Sequence, residues 1–258
     1  MSVTLERPST QHARLWLDRP DKRNAFDDEL IDALLAHFTE LANDKALRVI
    51  TLGGRGKHFC AGADLNWMRA QGQQSEAENR AGAKKLARLM QQIDTQPQVV
   101  IARVQGAAFG GALGLICAAH IAIGGDDLRF CLSEARLGIL PAVISPYVVR
   151  AMGARQARRY FSSCELIDAA QAERLQLVHE VVPAEQLDAR CESLVTQLLT
   201  ISPNAQREAH QLIEVASAPI SDSSIDATIE LITRLRKSDE GQEGMSAFLE
   251  KRKPNWVK

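Results

Sequence analysis

Glu134 stands where two glycine-bearing segments have already passed, and that order is the strongest chemical signal in the 258-residue chain. The first segment runs Gly53-Gly54-Arg55-Gly56-Lys57-His58-Phe59-Cys60-Ala61-Gly62-Ala63-Asp64, directly after the β-branched run Val49-Ile50-Thr51-Leu52. The second, Gly106-Ala107-Ala108-Phe109-Gly110-Gly111-Ala112-Leu113-Gly114, follows Val99-Val100-Ile101-Ala102-Arg103-Val104. Glycine turns at such junctions leave backbone N–H groups free to meet an anion or a carbonyl oxygen. One carboxylate later in the chain can then handle a proton. Donor loops plus an acid–base group are an enzyme's equipment.

The elements that must position these groups alternate. Short strands are expected at Val3–Leu5 and Leu15–Leu17, and Asp18-Arg19-Pro20-Asp21 turns the chain. Asn24-Ala25-Phe26-Asp27 can start a helix whose Leu30, Leu34, Leu35, Phe38 and Leu41 recur at helical spacing. Strands over Arg48–Leu52 and 99–104 lead into the two glycine segments, the second continuing into an apolar stretch that reads as a buried helix. The polar segment Gln71–Asn79 reads either as a mobile lid or surface insertion, or as a solvated helix start; an alanine-rich helix is expected from Arg80 to Ile93. Strands follow near Ile121–Ile123, Arg129–Cys131 and Val178–Val182, with a proline-started helix after Pro146. Helices at Ala154–Phe161 and Asp168–Leu175 are separated by a short extended piece. Beyond Leu187 strands vanish, and helices are expected over 187–199, 204–217, 221–236 and 239–250. This is an α/β core with a helical appendage, which divides the chain into residues 1–198 and 199–258.

Composition narrows the class. Apolar content of 45% and charged content of 24% are ordinary for a soluble globular protein. A formal charge of -1 gives no reason to invoke nucleic acid. The glycine-interrupted apolar stretch 107–119 is too short to span a bilayer. The start, Met1-Ser2-Val3-Thr4-Leu5-Glu6-Arg7, lacks the pattern of a secretory signal. Five widely spaced cysteines, with no CxxC pair and no histidine-rich cluster, point to a reduced, cytoplasmic chain without a metal site. Cys60 is the one exposed-loop candidate, two residues from His58, but nothing else in the sequence supports a Cys/His nucleophile.

Taken together, Asp21-Lys22-Arg23-Asn24-Ala25, Phe59 through Leu65, Gly106 through Gly114, Ser133-Glu134-Ala135-Arg136-Leu137-Gly138-Ile139-Leu140-Pro141 and Ala169 through Val178 resemble the crotonase, or enoyl-CoA hydratase/isomerase, family over nearly the whole chain. The resemblance implies a crotonase (ClpP/crotonase-like) spiral of ββα units with a C-terminal helical trimerisation region, and a homotrimer or a hexamer of two stacked trimers. It implies an acyl-coenzyme A thioester as substrate, so that coenzyme A enters with the substrate and no separate cofactor is expected. The backbone N–H groups of Ala63 and Gly111 match the pair that holds the thioester oxygen, and Glu134 matches a catalytic glutamate. Lys22 and Arg23 would face the phosphates of coenzyme A, Ala25 would also bind coenzyme A, and Ala61, Asp64 and Leu65 would lie around the adenine and its neighbouring chain. Asp64 also suits capping of the following turn. Phe248 and Lys251 match a segment that reaches the coenzyme A of a neighbouring subunit, although a generic charged tail fits those residues as well.

The chain departs from the family's well-known hydratases at one point. Their second glutamate aligns with Gly114, which has no side chain. A single glutamate suits an isomerase, which only moves a proton. Against that, Gly110 through Leu115, Phe130-Cys131-Leu132-Ser133-Glu134 and Leu140-Pro141-Ala142-Val143-Ile144-Ser145-Pro146 resemble a bacterial subgroup of methylglutaconyl-CoA hydratase-like proteins of leucine catabolism and isohexenylglutaconyl-CoA hydratases of terpene catabolism. That resemblance favours a hydratase (a hydro-lyase) acting on a branched 2-enoyl-CoA with a distal carboxylate. In place of the usual Pro-Gly-Gly-type turn, Pro141-Ala142-Val143-Ile144 is expected to reshape the acyl pocket. A cation for the distal carboxylate is not identified, and Arg136 and Arg150 are near only in sequence. A Δ3,Δ2-enoyl-CoA isomerase and a non-catalytic acyl-CoA-binding protein are the alternatives.

Overall fold

A computed structural model describes residues 2–257. Its main sheet has six strands in the order β1-β2-β3-β4-β6-β9: β1 (Val3–Ser9), β2 (His12–Leu17), β3 (Val49–Gly54), β4 (Val99–Val104), β6 (Ile121–Gly125) and β9 (Glu180–Val182). Only β1 and β2 pair antiparallel; the remaining pairs are parallel. A second sheet joins β5 (Ala107–Phe109), β7 (Arg129–Cys131) and β8 (Ile167–Asp168).

Alternation along the central strands explains the layering. Successive side chains of a strand point to opposite faces. Ile50, Leu52, Val100, Ala102 and Val104 belong to the large core. Helices α1 (Asp28–Ala42), α3 (Glu76–Asp94) and α4 (Gly111–Ala118) contribute Leu34, Phe38, Leu89, Met90 and Leu113 to the same core. The intervening residues Val49, Ile101 and Ile123 face the other way, onto Leu187, Cys191 and Val195 of α7 (Leu187–Leu199). The central sheet is therefore covered on both sides, which is why its strands read as unbroken apolar runs.

Each glycine segment leaves the carboxyl end of a parallel strand, where open α/β sheets place their ligands. The first leads from β3 to α2 (Leu65–Gln71). The second contains strand β5 and Gly110 and leads into the expected buried helix, α4. Gly110 makes the break at φ 54, a left-handed value that side-chain-bearing residues rarely adopt.

Residues 71–79 resolve in favour of the solvated helix start. Ser75 caps α3 with a full capping box to Glu78, so that helix begins at Glu76 instead of Arg80. The helix after Pro146 and the one at Ala154 are merged into α5 (Ser145–Ser163), kinked at Gly153. The extended piece before α6 (Ala169–Arg174) is β8. The chain ends in α8 (Pro203–Ser217), α9 (Asp222–Lys237) and α10 (Asp239–Leu249). Neither α8 nor α9 contains a buried residue, although both are amphipathic in sequence. Among the described residues no helix is long and apolar enough to cross a membrane.

Candidate active site

The two glycine segments are tied to each other at their base. Cys60 donates its N–H to Ala107 O at 3.1 Å, and Phe109 N–H returns to Cys60 O at 3.0 Å. His58 Nδ1 accepts the Ala107 N–H at 3.1 Å, and the buried Gln105 amide donates to Gly54 O and Gly56 O. A Cβ on Gly106 would overlap Lys57 O, so only glycine permits this approach.

At their tips the segments present main-chain donors. Phe26 N–H donates to Gly62 O at 2.8 Å, and Asp64 N–H donates to Phe26 O at 2.8 Å. Ala63, between those two bonds in a parallel bridge to Phe26, directs its own N–H to the other side. No backbone acceptor among the described residues takes it. Gly111 opens α4, so its N–H also lacks an intrahelical acceptor and carries the positive end of the helix dipole.

Glu134 lies beside that helix start. Its Oε1 is 3.1 Å from the point that a Cβ on Gly110 would occupy. Gly110 N–H donates to Cys131 O at 2.9 Å, which fastens the head of α4 to the strand that delivers Glu134. The glutamate opens a short 3-10 turn, Glu134–Leu137, closed by Gly138 in the left-handed region. Glu134 Oε2 is buried without a hydrogen-bond partner. Burial pushes this carboxyl above the usual glutamate range, against the smaller opposing pull of its own backbone N–H. A half-buried carboxyl with one unpartnered oxygen beside the head of α4 is costly for folding and suited to proton transfer.

Gly114 is closed off. A Cβ there would overlap Ile144 Cγ2 and lie 2.9 Å from Met90 Sδ. The turn at Pro141–Ile144, expected from sequence to reshape the pocket, thus places an isoleucine against the helix where a second glutamate would begin.

The coenzyme A candidates divide. Lys22 and Arg23 are exposed, and Ala25 is buried behind them. Ala61 N–H donates to Arg23 O at 3.0 Å, which brings Lys22, Arg23, Ala25 and Ala61 beside the first glycine segment. Asn24 holds this junction, buried, with its side chain donating to Arg55 O and His58 O. The Asp64 carboxylate is committed to capping α2, accepting from Asn66 N at 2.9 Å and Trp67 N at 3.2 Å. Those amides hold it below the usual carboxylate range. Leu65, next to it, is 78% exposed. Phe248 is 83% exposed, and no hydrogen bond or ion pair among the described residues joins it or Lys251 to the 22–25 and 61–65 segments.

One expectation needs correction, and the two arginines near the site in sequence can now be placed. Cys60 is fully buried rather than exposed, with its thiol pushed up to about 12 by burial, so it is no nucleophile. Arg136 donates to Cys164 O at 2.7 Å. Arg150 pairs with Asp94 and lies 3.7 Å from Glu214, so its charge is already met by carboxylates, whereas Arg136 is exposed and, among the described residues, its side chain is bonded only to that neutral carbonyl. Sequence reasoning missed Phe26 and Met90. The first was read only as part of a helix start and the second only as a core position.

Comparison with known proteins gives a concordant picture. The sequence pattern of the family described as Enoyl-CoA hydratase/isomerase matches residues 10–258. The 2,3-dehydroadipyl-CoA hydratase of Escherichia coli K12 is 31% identical over 94% of this chain and 93% of its own length. An enoyl-CoA hydratase from Shewanella pealeana superposes with a TM-score of 0.95 at 44% identity, covering 99% of this chain and 96% of that one. AtuE of Pseudomonas aeruginosa superposes with a TM-score of 0.96 at 34% identity over the whole of both chains. The fold is thus that of the crotonase-type enzymes.

Proposed function

The chain belongs to the enoyl-CoA hydratase/isomerase family, and we propose that it is a hydratase of a branched 2-enoyl-CoA carrying a distal carboxylate, of the 3-methylglutaconyl-CoA or isohexenylglutaconyl-CoA type. The observation that carries the catalytic part is the half-buried Glu134 carboxyl, its Oε2 without a partner, beside the head of α4. The thioester oxygen accepts from Ala63 N–H and Gly111 N–H. Water adds at Cβ as Glu134 takes its proton, and the π electrons move onto the thioester oxygen as an enolate. Glu134 then returns the proton to Cα. Donors already aimed at the developing oxyanion need no reorganisation, and one such donor is worth on the order of 3 kcal/mol. A carboxyl raised toward the working pH suits a group that must act first as base and then as acid.

The distal carboxylate is supported by a relative named for a 2,3-dehydroadipyl-CoA substrate. Its counter-charge does not come from Arg150, which is paired with Asp94. Lys22 and Arg23 meet coenzyme A phosphates, and Ala25, Ala61 and Leu65 flank the adenine and its chain. The backbone of Asp64 joins them, since its carboxylate is occupied. Residues 199–258 form the surface by which chains assemble as a trimer or a hexamer. The amphipathic, fully unburied α8 and α9 support this, and Phe248 and Lys251 would then complete the coenzyme A site of a neighbouring subunit.

A second reading, an enoyl-CoA isomerase, is favoured by the sealing of Gly114 with Ile144 and Met90, which leaves one proton carrier. Mass spectrometry after incubation with crotonyl-, 3-methylcrotonyl- and 3-methylglutaconyl-CoA separates the two. A gain of one water with the diacid substrate supports the hydratase. Double-bond migration without mass gain supports the isomerase and overturns the first reading.

A further inference from the structure

Phe26 contacts both donor-bearing segments, and it does so by two different means. Its main chain brackets Ala63 with the pair of 2.8 Å bonds to Gly62 O and Asp64 N. Its ring Cε2 lies 3.4 Å from the place that a Cβ on Gly111 would take. The residue is buried, and it sits immediately before Asp27, whose carboxylate caps α1 through Leu30 N at 3.0 Å. Asp27 is also paired with Arg19. The backbone at position 26 is therefore anchored to a rigid helix start. Arg19 also lies 3.9 Å from Asp64, so the same helix start is linked to the end of the first glycine segment.

We propose that Phe26 is a positioning residue that sets the separation of the Ala63 and Gly111 amides. The ladder between Cys60 and Ala107–Phe109 fixes the two segments at their base only. From there the first segment runs through Ala61 and Gly62 to Ala63, and the second through Gly110, whose N–H is held by Cys131 O, to Gly111. Nothing in the ladder sets how far apart the two tips lie. Phe26 supplies that spacing, because its peptide groups hold one tip and its ring is the floor on which the other rests. Glycine at position 111 lets the ring come this close, and a ring of this size keeps α4 from sinking toward α1.

Oxyanion stabilisation depends steeply on geometry, since both donors must reach one oxygen at about 2.7–3.1 Å. A smaller side chain at position 26 leaves the Ala63 bonds intact and removes the floor beneath Gly111. The amides then share the oxygen unequally. The expected loss is on the order of 10²-fold in turnover, the weight of an ångström-scale misplacement. Coenzyme A contacts made by Lys22, Arg23 and Ala61 lie on other residues, so affinity for free coenzyme A should not change.

The inference rests on the proposed thioester chemistry, and the test separates the two. Infrared difference spectra of bound crotonyl-CoA report polarisation of the thioester carbonyl, which a purely structural side chain would not move. Wild-type protein should shift the carbonyl band to lower frequency. Phe26→Ala should bind coenzyme A normally, show a smaller shift, and lose turnover with little change in KM. Phe26→Leu should keep more of both than Phe26→Ala and measurably less than wild type. If Phe26→Ala does not fold, Phe26→Leu decides through a partial loss of shift and turnover. Full shift and full turnover in the folded variants overturn the role of Phe26. No carbonyl shift in the wild-type protein overturns the oxyanion reading itself, and this inference with it.

Discussion

Ile144 fills the space into which a side chain at Gly114 would grow, with Met90 closing the same space from α3. The absence of a second carboxylate is therefore built into the packing and is more than a missing side chain. Gly114→Ala should destabilise the protein by about 1–3 kcal/mol, the usual range for overpacking a filled core. Gly114→Ala with Ile144→Ala should recover part of that loss, because the two sites share one space. Denaturant midpoints of the two single variants and the double variant check this; strict additivity would contradict it.

Gly114→Glu should not confer two-carboxylate chemistry. The new carboxylate would enter an apolar niche without a partner, at a penalty larger than the alanine variant's. Turnover with crotonyl-CoA should stay at or below the wild-type level. A clear rise would show that Ile144 and Met90 yield readily.

Glu134→Gln should lower turnover by roughly 10²–10⁴-fold while the fold persists. The stability effect has a definite sign. Burial raises the folded-state pKa of Glu134 above the ordinary 4.5, so the ionised form weakens the folded protein above that range. Glu134→Gln should then be more stable than wild type at neutral pH. The gain should fade as pH falls through the raised pKa and vanish below about 4.5. Paired thermal melts from pH 4 to 8 would show it.

A histidine pair away from the site should govern acid stability. His120 Nδ1 accepts the Val100 N–H at 2.9 Å, its Nε2 faces Asp94 O at 3.1 Å, and its ring stacks on His210 with centroids 3.9 Å apart. Burial, with His210 adding to it, lowers His120 from 6.5 to about 4. The unfolded chain therefore takes up a proton first, and stability should fall as pH drops from about 6.5 to about 4 by ~3 kcal/mol. His120→Gln should flatten that slope. An unchanged slope would remove His120 from the account of acid unfolding.

Assembly is testable on α9. Ile225, Ile229 and Ile232 are exposed along it in the single chain. Ile229→Asp should lower the mass in analytical ultracentrifugation to that of a single 28.3 kDa chain and should raise KM by uncoupling Phe248 and Lys251 from a neighbouring site. An unchanged mass would move the interface elsewhere.

Much of this was legible in the sequence because it is local. The β-branched runs before the glycine segments became β3 and β4, and the four terminal helices fell close to their expected bounds. The glycine segments and Glu134 were marked by the residues themselves, Ala63 and Gly111 by resemblance alone, and all three residues lie on mutually braced segments. What was not legible depends on contacts between distant residues. Nothing in Asn24-Ala25-Phe26 announces that a ring will lie under residue 111. Arg150 gives no sign in sequence that Asp94 and Glu214 will claim it. Cys60 looked exposed because a glycine-rich loop usually is, yet the ladder to Ala107 carries it inward.

The most direct measurement is a crystal structure of the protein with a bound enoyl-CoA analogue. The expected result is one thioester oxygen within about 3 Å of both the Ala63 and Gly111 nitrogens, as a shared oxyanion site requires, with the Glu134 carboxylate against Cα and Cβ. A thioester oxygen reached by only one of those amides, or a Glu134 carboxylate turned away from the double bond, would contradict it.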